Sequence, residues 1–370
     1  MFKQMTKIDF KETVDFIHKT FNTEEFIPLH PPYFDNREKE MLCECIDSTF
    51  VSSVGKFVTE FEEKIAKFCG VKRAVACVNG TNALYLALKI NGVKGGDKVI
   101  TQPLTFIATA NAIKYCSAEP VFVDVDKDTM GLSPEKLEDY LKKHNDIKAV
   151  VSMHTFGHPC RIDEIKEVCD KYGIILVEDC AESLGSFYKG VHTGNWSEGS
   201  ALSFNGNKTI TTGGGGMLLF NDEKLADYAK HLTTQAKIPH KWEFRHSEIA
   251  YNYRMPNLNA ALGLAQFEKL ETFLKNKREL ASIYRNFFQD RFVDEPKNAK
   301  SNFWFQAIML DNREQRDNFL EYTNNNGVMT RPCWCLMNEL EMFKTAEHGD
   351  LTNAKYIEDR LVNIPSGVRL

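Results

Sequence analysis

The 370-residue sequence lacks any long apolar run. No stretch of about eighteen consecutive apolar residues occurs, which excludes a membrane-spanning helix of ordinary kind. The first ten residues carry Lys3, Lys7 and Asp9 among their apolar side chains, so they lack the apolar core of a signal peptide. We therefore expect a soluble protein of the cytoplasm.

The chain also lacks an excess of positive charge. Its 46 Lys and Arg side chains face 51 Asp and Glu, for a net charge of −5, and the two signs are mixed along the sequence. Proteins that bind nucleic acids need a basic surface to neutralise phosphates. We therefore expect no DNA or RNA partner.

The cysteines lack the spacing of a zinc site. Ten are scattered along the chain, and the two close pairs, Cys43/Cys45 and Cys333/Cys335, are each separated by a single residue. Structural zinc sites use longer spacings within a pair. We therefore expect reduced thiols and no bound metal.

A chain of this length exceeds what one hydrophobic core usually serves, so two domains are expected. Residues 1–35 contain a short amphipathic stretch and then a proline-rich segment, which together predict an N-terminal arm. We place a large domain at 36–256. A connecting helix over 257–287 and a smaller α/β domain fill 257–370.

Short apolar strands alternate with helices through the large domain. The pattern predicts strands at 73–78, 98–101, 121–125, 149–153 and 174–178, with helices at 83–90, 106–115, 133–143 and 162–172. Such alternation indicates an α/β fold with a mostly parallel sheet. Ligands of such sheets bind at the carboxyl ends of the strands, so chemistry is expected there.

Three features at such places carry chemistry. Asp179 ends a predicted strand, where a carboxylate can pair with a protonated ring nitrogen, although alone it fits a cap or a metal ligand equally well. Lys208 follows Ser203 by five residues and precedes a glycine run at 213–216. A lysine is a nucleophile only as the free amine, and an isolated loop lysine is usually solvated.

The third feature is the Asn-Gly-Thr-Asn segment at 79–82, between a strand and a helix. The first turn of that helix is suited to a phosphate, although an ordinary helix cap explains the segment too. Together the three features supply a phosphate site, a carboxylate for a ring nitrogen and a lysine for an aldehyde. Pyridoxal 5′-phosphate (PLP) requires that combination.

Six segments in order resemble the DegT/StrS sugar aminotransferases, which have the type I (aspartate-aminotransferase-like) fold of PLP-dependent transferases. The resemblance runs from about 27 to 291 and more loosely to the end. It is carried by FVSSVGKFVTEFEEKIAKFCG (50–70), VNGTNALYLAL (78–88), TFIATANAI (105–113), VEDCAESLGS (177–186), LSFNGNKTITTGGGGM (202–217) and YNYRMPNLNAALG (251–263).

The resemblance assigns roles by position. It implies that Lys208 is the Schiff-base lysine, that Asp179 pairs with the pyridinium nitrogen and that Phe106 stacks on the pyridine ring. The positions that correspond to the phosphate site are Gly80, Thr81, Asn82 and Ser203.

Three further positions matter in this comparison. Asn252 matches an asparagine that reaches the phosphate from a neighbouring subunit, which implies a homodimer with shared active sites. Glu182 stands where many members have glutamine beside the phenolic oxygen of the cofactor. Gly214 replaces a glutamate that is common in the family, so whatever that glutamate does is absent or supplied elsewhere.

Within the family the chain is most similar to the branch that makes 4-amino-4,6-dideoxy sugars, as in legionaminic-acid and perosamine pathways. The acceptor implied is a UDP- or GDP-linked 4-keto-6-deoxy hexose, N-acetylated in our expectation, with glutamate as donor. Such sugars enter bacterial surface polysaccharides such as lipopolysaccharide. Candidate substrate contacts are His154, His240, Arg245 and Arg331.

Two alternatives stay open at this point. A PLP-dependent sugar dehydratase of the same family has histidine where this chain has Lys208, so the lysine favours transamination. A PLP- or sugar-nucleotide-binding regulator without catalysis is compatible with the fold alone.

Overall fold

The computed structural model describes residues 6–370 and contains a seven-stranded sheet in the order β1-β9-β8-β5-β4-β2-β3. Neighbouring strands are parallel except around β9, which is antiparallel to both β1 and β8. The predicted α/β fold with a mostly parallel sheet is confirmed. The strands are β1 Arg73–Cys77, β2 Lys98–Thr101, β3 Glu119–Phe122, β4 Ile147–Met153, β5 Ile175–Asp179, β6 Phe187–Tyr188, β7 Val191–His192, β8 Gly199–Ser203, β9 Gly216–Phe220, β10 Lys237–Ile238, β11 Arg245–His246, β12 Ala299–Lys300, β13 Gln306–Met309, β14 Arg331–Pro332 and β15 Leu361–Ile364.

Helices cover both faces of the large sheet, which is why its strands are almost continuously apolar. Local signals begin and end them: Asp35 and Glu38 form a capping box at α2, and Gly70 ends α3 with φ +71°. The helices are α1 Phe10–Phe21, α2 Asn36–Asp47, α3 Lys56–Cys69, α4 Gly80–Ile90, α5 Ile107–Tyr115, α6 Pro134–Leu141, α7 Ile162–Tyr172, α8 Glu223–Thr233, α9 Asn257–Phe267, α10 Leu270–Phe288, α11 Arg313–Asn325 and α12 Thr352–Glu358.

The single connecting helix predicted over 257–287 is wrong, because the chain forms two helices there. Helix α9 ends at Phe267 and α10 begins at Leu270. Lys269 lies between them, and its Nζ is 2.6 Å from carboxylate oxygens of both Asp35 and Glu38. These contacts hold the junction against the start of α2. The apolar spacing continues across the break, so the sequence pattern did not reveal it.

A second sheet, antiparallel and ordered β13-β15-β14, lies in the C-terminal part of the chain. Helix α1 of the N-terminal arm packs there rather than standing apart. Phe16 stacks on Phe287 with ring centroids 3.8 Å apart, and Phe10 meets the edge of Phe319. Over residues 6–370, no helix is long and apolar enough to cross a membrane.

Candidate active site

A cavity of about 310 Å³ opens where β5 and β8 end and α4 and α5 begin. Strands of a parallel sheet bring their carboxyl ends to one edge, so residues distant in sequence meet there. The cavity is lined by seven of the residues predicted from sequence: Gly80, Thr81, Phe106, Asp179, Glu182, Ser203 and Lys208.

The first turn of α4 forms one end of the cavity. The side chain of Asn79 caps the helix by accepting a 2.8 Å hydrogen bond from the N–H of Asn82. The N–H groups of Gly80 and Thr81 have no acceptor within the helix and are available to an anion. A Cβ on Gly80 would come within 2.8 Å of the Cβ of Ser203, so glycine permits the close approach of α4 to the end of β8.

Asp179 is buried at the end of β5 and faces the cavity. Its Oδ2 accepts a 2.7 Å hydrogen bond from the Thr109 hydroxyl, and its Oδ1 accepts one of 3.1 Å from the Ala181 N–H. These two bonds fix the orientation of the carboxyl group. Phe106 precedes α5 and lines the cavity. The residue is 50% exposed, so its ring is accessible to a planar ligand.

Lys208 lies in the loop between β8 and β9. Its Nζ is 3.9 Å from the centroid of the Trp304 ring and 3.5 Å from Oε1 of Glu182. The face of an aromatic ring and a carboxyl group are both common neighbours of a lysine amine. Trp304 is held in turn, since its Nε1 donates a 2.6 Å hydrogen bond to the Asn207 carbonyl.

Glu182 is buried, and its Oε2 accepts a 2.9 Å hydrogen bond from the Phe156 N–H. Burial raises the pKa of this carboxyl group to about 7, although the nearby Lys208 amine acts in the opposite direction. The site therefore holds a carboxyl group that changes charge near neutral pH.

A buried amine supports the wall behind Lys208. Nζ of Lys277 lies 3.2 Å from the Trp304 carbonyl, 2.6 Å from the Ser366 carbonyl and 2.7 Å from Nε2 of His30. The N–H of Ser366 donates to the Leu29 carbonyl at 2.7 Å. Segments from the arm, from α10 and from the end of the chain thus meet behind Trp304.

The residues of the cavity fit PLP. The helix start and Ser203 suit its phosphate, the Phe106 face suits its ring, Asp179 suits the ring nitrogen and Lys208 suits the aldehyde.

Comparisons with known proteins agree with this chemistry. Residues 32–370 match the DegT/DnrJ/EryC1/StrS aminotransferase family. The chain belongs to this family. It is 38% identical to GDP-perosamine synthase of Escherichia coli O157:H7, over 92% of this chain and 93% of that protein. It is 39% identical to the putative pyridoxal phosphate-dependent aminotransferase EpsN of Bacillus subtilis (strain 168), over 86% and 84%.

Among solved structures, the aminotransferase TlmJ from Streptoalloteichus hindustanus superimposes with a TM-score of 0.87. The two chains are 27% identical, and the match covers 92% of this chain and 93% of TlmJ. This chain therefore has the type I fold, depends on PLP and is an aminotransferase.

One predicted substrate contact of the aminotransferase is wrong. His154 is completely buried and does not line the cavity. Its Nε2 lies 3.1 Å from Oε1 of Glu178, and its Nδ1 accepts a 3.3 Å hydrogen bond from the Cys160 N–H. Both ring nitrogens therefore have partners inside the protein. His154 contacts the strand that carries Asp179 and is not available to contact a sugar.

Five other predicted residues lie outside the cavity of this chain. Asn82 contributes its N–H to the cap of α4, while Asn252, His240, Arg245 and Arg331 are exposed. Arg245 pairs with Glu243 at 2.6 Å, and Arg331 donates to the Asn324 side chain at 2.9 Å.

Sequence reasoning missed the aromatic wall of the aminotransferase site. Trp304, Phe305 and Trp334 line the cavity opposite the sheet, and Trp334 meets the edge of Phe106 at 6.3 Å. They come from the C-terminal part of the chain, where no motif marks them. Asn205 and Asn207 also line the cavity, and their place beside Lys208 in the sequence was an available signal.

Proposed function

We propose that the enzyme transfers the amino group of glutamate to C4 of a UDP- or GDP-linked 4-keto-6-deoxy hexose, N-acetylated, in the synthesis of a bacterial surface sugar. The observation that carries the proposal is the Lys208 amine inside a cavity that also holds Asp179 and a helix start. The similarity over nearly the whole chain to a GDP-perosamine synthase supports a sugar nucleotide as acceptor.

Each residue has a task in this proposal. When bound, PLP supplies an electron sink for the pair of electrons released at the Cα carbon of the donor. Asp179 keeps a proton on the ring nitrogen, since a carboxylate favours a cation beside it. Lys208 moves a proton at its Nζ, and Gly80, Thr81 and Ser203 bind the phosphate. The aromatic wall of Trp304, Phe305 and Trp334 limits access of water.

Lysine at position 208 argues against the dehydratase alternative, in which the family has histidine. The test that also covers the regulator alternative is direct amino transfer. We expect the purified enzyme with glutamate to release 2-oxoglutarate and to aminate a 4-keto-6-deoxy hexose linked to GDP or UDP, with and without an N-acetyl group, compared in parallel. Product analysis by mass spectrometry identifies the preferred acceptor. Absence of transfer to all four acceptors would contradict the proposal.

We also propose a homodimer in which each site uses Asn252 of the other subunit. Among the residues that line the cavity, Lys208 is the cationic side chain. One amine can neither neutralise both charges of a phosphate dianion nor donate to all of its oxygens, so further contacts are needed. Asn252 is exposed at the base of the β10–β11 hairpin, where Trp242 and Phe244 are 74% and 80% exposed. Large exposed apolar side chains of this kind are typical of subunit interfaces.

We further propose that, in this dimer, the hairpin residues His240 and Arg245 contact the nucleotide diphosphate bound by the other subunit. We propose that Arg331, which lies three residues before Trp334 of the aromatic wall, contacts the diphosphate from the same subunit as Lys208. Arginine pairs well with phosphate oxygens in such positions.

Mixed dimers test the shared site. Lys208→Ala removes the amine, and Asn252→Asp places a negative charge against the phosphate, so each homodimer should be impaired. A heterodimer of the two variants contains one site with both defects and one intact site. We expect it to recover about half of the parent activity, because each site of a two-fold dimer is complete or defective as a unit. If Asn252 contributed to the site of its own subunit, each site of the heterodimer would carry one of the two substitutions. The heterodimer would then recover no activity.

A further inference from the structure

Glu182 and Lys208 form a buried pair of acid and amine. Oε1 of Glu182 lies 3.5 Å from Nζ of Lys208, and the two side chains are 1% and 13% exposed. The other carboxyl oxygen is occupied by the Phe156 N–H at 2.9 Å. The carboxyl group is therefore oriented with one oxygen toward the amine and little water around it.

Three other titratable groups lie near the pair, but the cation that Glu182 contacts is Lys208. Asp179 is the neighbouring carboxyl group, and its charge opposes ionisation of Glu182. His30 and Lys277 are buried behind Trp304, and burial lowers the pKa of both well below their usual values. Nζ of Lys277 contacts the carbonyls of Trp304 and Ser366 and Nε2 of His30, so Lys208 supplies the amine that contacts Glu182.

We propose that Glu182 is the proton partner of Lys208. Oε1 of the carboxylate takes the proton that leaves the ammonium at Nζ and returns it when the amine must be charged again. One N–H bond breaks and one O–H bond forms, and the net charge of the pair does not change. The proposal rests on the proposed function in one respect, since it needs Lys208 to be the reactive amine.

This pairing has a consequence for the pH dependence of the amine. Burial raises the pKa of Glu182 to about 7. Below that pH Glu182 is already protonated and cannot accept the proton of Lys208. Above it, transfer within the pair supplies a constant fraction of free amine, whatever the pH of the solvent. Glutamine, which the resemblance gives to many members at this position, cannot make the transfer, so the reactivity of their lysine should follow a different profile.

Site-resolved acetylation of Lys208 tests the proposal. The full-length protein is loaded with pyridoxamine phosphate, which leaves the lysine free, and is treated briefly with acetic anhydride at a series of pH values. Mass spectrometry then gives the rate at Lys208. We expect the parent rate to rise about tenfold per pH unit up to about pH 7 and then to level off.

Glu182→Gln is the matched variant, because the amide has the same shape and its oxygen can still accept from the Phe156 N–H. We expect its rate to rise through pH 7 without a break. Glu182→Asp keeps a carboxyl group and should keep a break. Circular dichroism verifies that all three proteins are folded.

A continuous rise in the parent, or a break that survives in Glu182→Gln, would overturn the proposal. The labelling needs neither sugar nor glutamate, so its result does not depend on the substrates. A parent enzyme that shows the break but transfers no amino group would contradict the proposed function and leave the proton pair standing.

Discussion

Lys208→Ala should lose amino transfer by at least about 10³-fold, the largest effect expected for any side chain of the enzyme. The substitution removes both the nucleophile for the cofactor aldehyde and the group that moves the proton. The measurement is release of 2-oxoglutarate from glutamate with the sugar nucleotide present. In the parent protein, borohydride should link the cofactor covalently to the peptide that contains Lys208.

Lys208→Arg is the control for charge. Arginine keeps a cation above the Trp304 ring and beside Glu182, but its guanidinium group does not lose its proton at neutral pH. We expect this variant to be as inactive as Lys208→Ala. Substantial activity in the arginine variant, or a borohydride-stable link at another lysine of the parent, would show that the amine of Lys208 is not the reactive group.

The second large effect is expected for Asp179→Asn, with turnover lower by about 10²- to 10³-fold. Asparagine can still accept the hydrogen bond from the Ala181 N–H, but it carries no charge to hold a proton on the ring nitrogen. Cofactor affinity should fall much less than turnover, because the phosphate site at α4 is untouched. Steady-state kinetics and titration of the variant with PLP give the two quantities.

Thr109→Val separates the charge of Asp179 from its orientation. The Thr109 hydroxyl donates to Oδ2 of Asp179, and valine removes that donor while the carboxylate remains. A lost hydrogen bond to a charged group costs about 1.5–3 kcal/mol, which corresponds to a roughly 10- to 100-fold effect at most. If Asp179→Asn works at the parent rate, or if Thr109→Val is the more damaging change, the role proposed for the carboxylate is wrong.

Much of the fold was predictable because its signals are local. The strand that ends at Asp179 is a short apolar run, and α3 ends at Gly70, a residue type that commonly ends helices. The break between α9 and α10 was not predictable in the same way. At the break, Lys269 forms ion pairs with Asp35 and Glu38, more than two hundred positions earlier, and a periodic pattern does not contain such contacts.

The residues of the candidate site also differ in whether a local sequence signal marks them. Lys208, Asp179 and the start of α4 lie at strand or helix ends, so their convergence follows from the parallel sheet. Trp304 and Trp334 reach the cavity through packing of the C-terminal part of the chain, which sequence spacing does not reveal. His154 was misassigned because its loop turns inward to Glu178, a neighbour that becomes adjacent only in the folded sheet.

The contacts that hold Trp304 join segments that are made at different times during synthesis of the chain. Lys277 joins Trp304 to Ser366, and Ser366 is bonded in turn to Leu29 near the other end of the chain. During synthesis the sheet with Asp179 and Lys208 can form first, but the surface beneath the lysine also needs Lys277 and Ser366, which follow it in the chain. We therefore expect a nascent chain to contain Asp179 and Lys208 before the wall around them is complete.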